Sequence, residues 1–82
     1  MEELRRYLKT LSLDAQRDFA ARAGTTLGYL RKAISIKSAL REKICTALER
    51  ESAGAVTRRD LRPDDWQLIW PELAQAEAER EA

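Results

Sequence analysis

The feature that most constrains the fold of this chain is a single glycine, Gly24, placed between two helical patterns of apolar residues. Two helices that cross steeply through a short turn need a small residue where they touch and a glycine at the turn. They also need an aliphatic residue on the second helix that faces back. Ala20, Gly24 and Leu30 meet these needs in order along the chain. The sequence therefore predicts a helix-turn-helix over residues 16–35.

Helical spacing of apolar residues extends over most of the chain. It predicts helices over residues 2–10, 13–23, 26–34 and about 40–54. Ser12 is the expected N-cap of the second helix, and Thr25 or Thr26 is that of the third. Residues 35–39 contain no glycine or proline but break the periodic pattern, so their geometry stays open.

Two short turns and a tail are expected beyond Gly54. Thr57 and Asp60 have the spacing of a capping box and predict one helical turn that ends at Pro63. A further turn over residues 64–70 is interrupted by the next proline. We therefore expect one all-α domain over residues 1–73, a small helix-turn-helix bundle of four to five helices. The acidic Ala/Glu-rich residues 74–82 are too short to form a stable isolated helix and are expected to fray.

The composition argues against catalysis and metal binding. The chain of 82 residues has one cysteine and no histidine, so it can form neither an internal disulfide nor a Cys/His zinc site. Cys45 lies in a predicted helix without a nearby base and is expected to be a small buried apolar residue. The Asp64–Asp65 pair has the ordinary chemistry of a helix start. We expect no enzyme activity, no metal and no cofactor.

The charge distribution is uneven although the net charge is only +1. Residues 1–62 carry 14 Lys and Arg against 8 Asp and Glu, whereas residues 63–82 carry 1 against 6. A basic body with an acidic tail fits a nucleic-acid-binding protein, and it also fits a solvated surface with uneven charges. No signal peptide or membrane span is recognisable, so we expect a bacterial cytoplasmic protein.

The third helix is the expected recognition helix. If Leu30, Ala33 and Ile34 face inward, the other side of this helix can enter the major groove of DNA. Arg31 is the candidate for a bidentate contact to guanine, unless it belongs to a solvated basic face. The residues predicted to contact DNA are Gln16, Thr25, Thr26, Leu27, Gly28, Arg31, Lys32, Ser35 and Lys37. Of these, Leu27 suits a thymine methyl, Gly28 permits close approach, and Lys32 and Lys37 suit phosphates.

The C-terminal half carries a resemblance to a known family. The run of residues 54–66 followed by residues 69–73 (GAVTRRDLRPDDW, then IWPEL) resembles the Cro/YdaS family, which are small prophage-type helix-turn-helix regulators of Gram-negative bacteria. With the helix-turn-helix, the resemblance covers residues 4–73. It implies a lambda-repressor-like fold and a DNA-binding repressor of the Cro type, in a family that also carries the label of antitoxin. Thr25, Ala53 and the lack of a glycine after the third helix depart from the family pattern.

Two features after Gly54 allow two interpretations each. Arg58 and Arg59, together with Arg62, can contact DNA phosphates, or they can pair with the aspartates at positions 60, 64 and 65. Trp66, Ile69 and Trp70 can cover the domain's own core, or they can form an interface with another protein.

The functional prediction is a Cro-like repressor that binds a double-stranded DNA operator, as a homodimer at least on DNA. The alternative is an antitoxin-like interaction module that binds a toxin or regulator protein through residues 66–73. In that case DNA binding is secondary.

Overall fold

The computed structural model describes residues 1–81, with the side chains of residues 77 and 79–81 outside the description. These residues form seven helices and no strand. The helices are α1 (Glu2–Lys9), α2 (Leu13–Arg22), α3 (Leu27–Ile36), α4 (Glu42–Glu51), α5 (Arg58–Leu61), α6 (Trp66–Ile69) and α7 (Pro71–Glu81). The prediction of an all-α fold is confirmed. The larger number of helices arises because α5 and α6 are the two expected single turns and α7 covers most of the acidic segment.

The expected domain boundary at residue 73 and the fraying of residues 74–82 stay predictions. Ala82 lies outside the described residues.

Local capping explains where α2 and α3 begin and where α2 ends. The Ser12 side chain accepts a hydrogen bond from the backbone N–H of Ala15 at 3.2 Å, as expected of the N-cap of α2. Thr26, rather than Thr25, caps α3 by accepting from the N–H of Tyr29 at 3.1 Å. Gly24 has a φ of 82°, the left-handed conformation that ends a helix at little steric cost. The predicted turn between α2 and α3 is therefore present.

The segment after α3 differs from the expectation. The third helix continues to Ile36, two residues beyond its predicted end, and Lys37 takes the left-handed conformation with a φ of 55°. The N–H of Ser38 donates to the carbonyl of Ala33 at 3.0 Å, which closes the helix end without a glycine. The fourth helix begins only at Glu42, so Leu40 lies in the loop between the two helices.

One core cluster contains buried residues of α1 to α6, and α2 packs against both α3 and α4 while α1 packs against α3. Ala20, at the crossing of α2 and α3, is completely buried, as the spacing argument requires. The largest completely buried side chains are Leu4, Leu30, Leu40, Leu48, Val56 and Cys45. The prediction that Cys45 is a buried apolar residue is confirmed. Its burial raises the pKa of the thiol to about 11, so Cys45 stays protonated at neutral pH.

The segment after α4 covers the core as predicted. The capping box of Thr57 and Asp60 is formed, with hydrogen bonds of 3.0 and 3.1 Å in the two directions. Trp66 and Trp70 are both buried and belong to the core cluster. This confirms that the tryptophans cover the domain's own interior.

Arg62 joins this covering segment to the loop that follows α3. Its Nη1 donates to the backbone carbonyl of Leu40 at 2.7 Å, while its Nε and Nη2 donate to the two carboxylate oxygens of Asp65 at 3.1 and 2.7 Å. The Cys45 thiol also donates to the Leu40 carbonyl, at 3.5 Å. Glu42 lies 3.7 Å from the same guanidinium. The arginine therefore stabilises the loop between α3 and α4.

We expect Arg62→Ala to lower the free energy of unfolding by about 1.5–3 kcal/mol, because a charge-assisted hydrogen bond to a partly buried carbonyl is lost. Urea denaturation followed by circular dichroism measures this change. Arg17→Ala, which removes an exposed arginine from α2, is the matched control and should change stability by less than about 0.5 kcal/mol. Equal midpoints for the two variants would contradict the role assigned to Arg62.

The same ion pair makes stability depend on pH. The hydrogen bonds from Arg62 hold the pKa of Asp65 below its ordinary value. The stabilisation is therefore complete above the ordinary pKa of an aspartate and is lost as the pH falls through the lowered pKa. We expect Asp65→Asn to remove this part of the acid sensitivity, measured as the urea midpoint between neutral and acidic pH. If the urea midpoint of the variant depends on pH as that of the wild type does, other carboxylates account for the acid sensitivity.

Candidate nucleic-acid interface

Helix α3 has one buried and one exposed side. Leu27, Leu30 and Ala33 are buried. Four of the residues predicted to contact DNA are exposed and recur at intervals of three to four, namely Gly28, Arg31, Lys32 and Ser35. The structure therefore brings these four together on one face of a ten-residue helix.

The predicted orientation of Leu27 is wrong. This residue was expected to face outward, but it is only 7% exposed and belongs to the core cluster. The reason is the start of α3, since a helix that begins directly after Thr26 places Leu27 three residues before Leu30 and on the same side. A contact between the Leu27 side chain and a thymine methyl is not compatible with this packing.

The two threonines at the start of α3 differ in their surroundings. Thr25 is half-buried, whereas Thr26 is exposed. The Thr26 hydroxyl oxygen accepts the capping hydrogen bond from Tyr29, so this oxygen is engaged within the protein. Its hydroxyl hydrogen stays available to donate to an acceptor outside the protein.

Gln16 connects the end of α1 to the exposed face of α3. Its amide nitrogen donates to the carbonyls of Leu8 and Leu11, at 2.9 and 3.1 Å. Its amide oxygen accepts from Nη2 of Arg31 at 3.3 Å. Because two backbone carbonyls fix the amide, its oxygen has a fixed direction toward the guanidinium. The amide of Gln16, a residue predicted to contact DNA, is thus engaged within the protein, where it orients Arg31.

Lys37 lies directly beyond α3, exposed at the surface. Its left-handed backbone directs the chain away from the helix axis at this point. Lys37 therefore lies beyond the end of α3 and not within the exposed face of the helix.

Arg58 has partners within the protein that neither of the two interpretations named. Arg58 is only 18% exposed, and its Nε lies 2.7 Å from a carboxylate oxygen of Glu49. Its guanidinium also stands 5.4 Å from the centre of the Trp70 ring. The sequence spacing did not identify the carboxylate that α4 supplies, and the phosphate contact of Arg58 stays a prediction.

Arg59 is exposed and lies over the Trp66 ring at 4.7 Å. Its predicted phosphate contact stays a prediction. The pairing of Arg62 with Asp65, which the sequence interpretation named, is present.

A cleft of about 290 Å³ separates α1 from α3. Gln16, Arg31 and Ser35 line it, together with Arg5 and Lys9 of α1. The sequence interpretation missed these two cations. Their spacing of four places them on one side of α1, which is a signal readable from sequence, but their position beside α3 depends on tertiary packing.

Two further classes of site are not found in the part of the chain that the structure describes. No group of three or more Cys, Asp or Glu side chains there could hold a metal ion. No helix among those residues is both long and apolar enough to cross a membrane.

Comparison with known proteins identifies a relative. The chain is 33% identical over 61 residues to a protein of Escherichia coli (strain K12) described as a prophage transcriptional regulatory protein. The matched residues cover 74% of this chain and 92% of that relative. No protein-family model matches the chain, and no solved structure matches it significantly.

Proposed function

This chain belongs to the family of the prophage transcriptional regulatory protein, and from that membership we propose that it regulates transcription by sequence-specific binding to DNA. The observation that carries the proposal is the exposed face of α3, where Arg31 and Lys32 flank Gly28 while the other side of the helix is buried. A helix held in this way can enter the major groove with its side chains directed at base edges.

Arg31 is the proposed base-reading residue. Its guanidinium can donate two parallel hydrogen bonds to O6 and N7 of guanine. The Gln16 amide already holds Nη2 at 3.3 Å, so part of the orientation exists before DNA binds. Gly28, one turn earlier on the same face, leaves room for the helix backbone to approach the bases. Ser35 lies one turn later and supplies a hydroxyl.

Lys32 and Lys37 are proposed to contact phosphates, as are the helix start at Thr26 and the exposed Arg59. Such contacts position the protein without reading sequence. They also make affinity fall steeply with salt, because binding releases counterions from the DNA.

The finer assignment within the family is also a proposal. The resemblance of residues 54–73 to the Cro/YdaS family supports a Cro-type repressor that binds as a dimer to a two-fold symmetric operator. A single α3 offers few base contacts, and two copies about one helical turn apart double them.

A protein-interaction role through residues 66–73 has less support. Trp66 and Trp70, the side chains that would dominate such an interface, are buried in the domain's own core. Leu68 is highly exposed on this segment, but a single leucine is normal on a protein surface. We propose no catalytic activity for the chain.

Selection of bound sequences from a random pool of duplex DNA tests the proposal. The purified protein is incubated with the pool at near-physiological salt, and the retained duplexes are sequenced. We expect one enriched motif with two-fold symmetry. Its half-site spacing gives the separation of the two recognition helices in the dimer. Recovery of unenriched DNA, or of none, would overturn sequence-specific binding and would favour the protein-interaction role.

A further inference from the structure

The cleft between α1 and α3 contains cations that the proposed reading of bases does not use. Arg5 and Lys9 line it from the α1 side, and Arg31 and Ser35 line it from the α3 side. The lining residues include three cationic and no acidic side chains within the described part of the chain. The cleft is therefore suited to an anion.

Hydrogen bonds hold the residue at the bottom of the cleft in place, whereas the cations at its rim are exposed to solvent. Gln16 lies between the two helices, held by the carbonyls of Leu8 and Leu11. Lys9 is exposed in the last turn of α1. Arg5 is exposed as well and lies 3.4 Å from the carboxylate of Glu2, which is itself largely exposed. An exposed pair of this kind contributes little to stability, so Arg5 can exchange Glu2 for a stronger anion at small cost.

We propose that this cleft binds a backbone phosphate of DNA, so that Arg5 and Lys9 of α1 form part of the nucleic-acid interface. The inference rests on the proposed DNA-binding function, and it adds a second helix to the contact surface. A helix seated in the major groove has a phosphate strand along each side of it. The α1 cations stand beside the exposed face of α3, where one of these strands passes.

The proposal is tested by the salt dependence of binding to two duplexes, one that carries the selected motif and one of random sequence. We compare the wild-type protein with the double variant Arg5→Ala/Lys9→Ala. Each lost phosphate contact should reduce the slope of log K against log salt concentration by about 0.9. Arg5 and Lys9 bind the same phosphate, so we expect the slope to fall by about 0.9 on both duplexes. The ratio of the two affinities should stay the same, because a phosphate contact carries no sequence information.

Arg6→Ala is the matched control, since it removes a cation from the same helix. Arg6 is exposed but lies on another side of α1, beside Glu3 and Ala55. We expect its salt slope to equal that of the wild type. If Arg6→Ala lowers the salt slope as much as each substitution of the double variant does on average, net charge alone controls binding. That result would overturn the proposed site. Circular dichroism melting of each variant establishes that it is folded before its binding is compared.

A second measurement locates the phosphate. Duplexes with a single neutral methylphosphonate at successive positions should show one position where the substitution weakens binding of the wild type but not of the double variant. If no position weakens binding of the wild type more than binding of the double variant, the cleft site is overturned although DNA binding itself remains. A wild-type protein that binds neither duplex would instead overturn the proposed function and the cleft site together.

Discussion

Replacing Arg31 by alanine is expected to lower the affinity for the selected duplex about 5- to 150-fold more than the affinity for random DNA. This range corresponds to the roughly 1–3 kcal/mol by which a bidentate contact distinguishes guanine from other bases. The structure supplies the reason for assigning this role to Arg31 rather than to its neighbours. The side chain stands on the exposed face of α3, and the Gln16 amide orients its guanidinium. Binding of both duplexes at the same salt concentration measures the effect.

Lys32→Ala is the matched control for this prediction, because it removes the adjacent exposed cation from the same helix. It should weaken binding to both duplexes by the same factor, as the loss of a phosphate contact does. If Arg31→Ala also weakens both duplexes equally, Arg31 is not the base-reading residue. The exposed face of α3 would then serve only for electrostatic attachment.

Replacing Leu30 by alanine is expected to lower the free energy of unfolding by about 3–5 kcal/mol. Leu30 is 0% exposed in a core to which α2 and α3 both contribute, so its truncation leaves a cavity that rigid neighbours cannot fill. Small domains have a total stability of only about 5–15 kcal/mol, so the loss is a large share of it. The melting temperature should fall by roughly 4–8 °C for each kcal/mol lost.

Leu68→Ala makes the same chemical change at a position that is 84% exposed. Its effect on the free energy of unfolding should stay within about 0.5 kcal/mol. Thermal and urea denaturation of the two variants compare them directly. A Leu30→Ala variant as stable as Leu68→Ala would contradict the packing of α3 against the rest of the core.

The segment after Gly54 covers the core and contacts the loop that follows α3. Trp66 and Trp70 cover the core, and Arg62 binds the carbonyl of Leu40 in the loop that leaves α3. Residues 54–73, which resemble the Cro/YdaS family, therefore have a structural role in this protein. The residues that we propose to contact DNA lie mainly in the other half of the chain, on α3 and at its two ends.

The family membership and the site support different parts of the functional proposal. The relative's description places this chain among transcription regulators. The proposal of which residues contact DNA rests instead on the exposed face of α3 and on the cations around it. The Arg31 and Arg5/Lys9 variants test these two contributions separately, since one changes specificity and the other changes the salt slope.

Features that depend on neighbouring residues in the chain could be predicted from the sequence alone. The N-caps at Ser12 and Thr26, the left-handed Gly24 and the capping box at Thr57 all arise from contacts within a few residues. The spacing of Ala20, Gly24 and Leu30 was sufficient to predict the crossing of α2 and α3. A short-range pattern identifies these features because the residues that stabilise them lie within one or two helical turns.

The tertiary structure alone decided which partner each long side chain meets. Arg58 pairs with Glu49, nine positions earlier, and Arg62 reaches Leu40, 22 positions earlier. The spacing of the sequence names no partner at such distances, because a flexible arginine has many carboxylates and carbonyls in range once the helices pack. The cleft that joins Arg5 and Lys9 to Arg31 has the same origin. Its cations come from helices far apart in the chain, and only the packing of α1 against α3 places them on one surface.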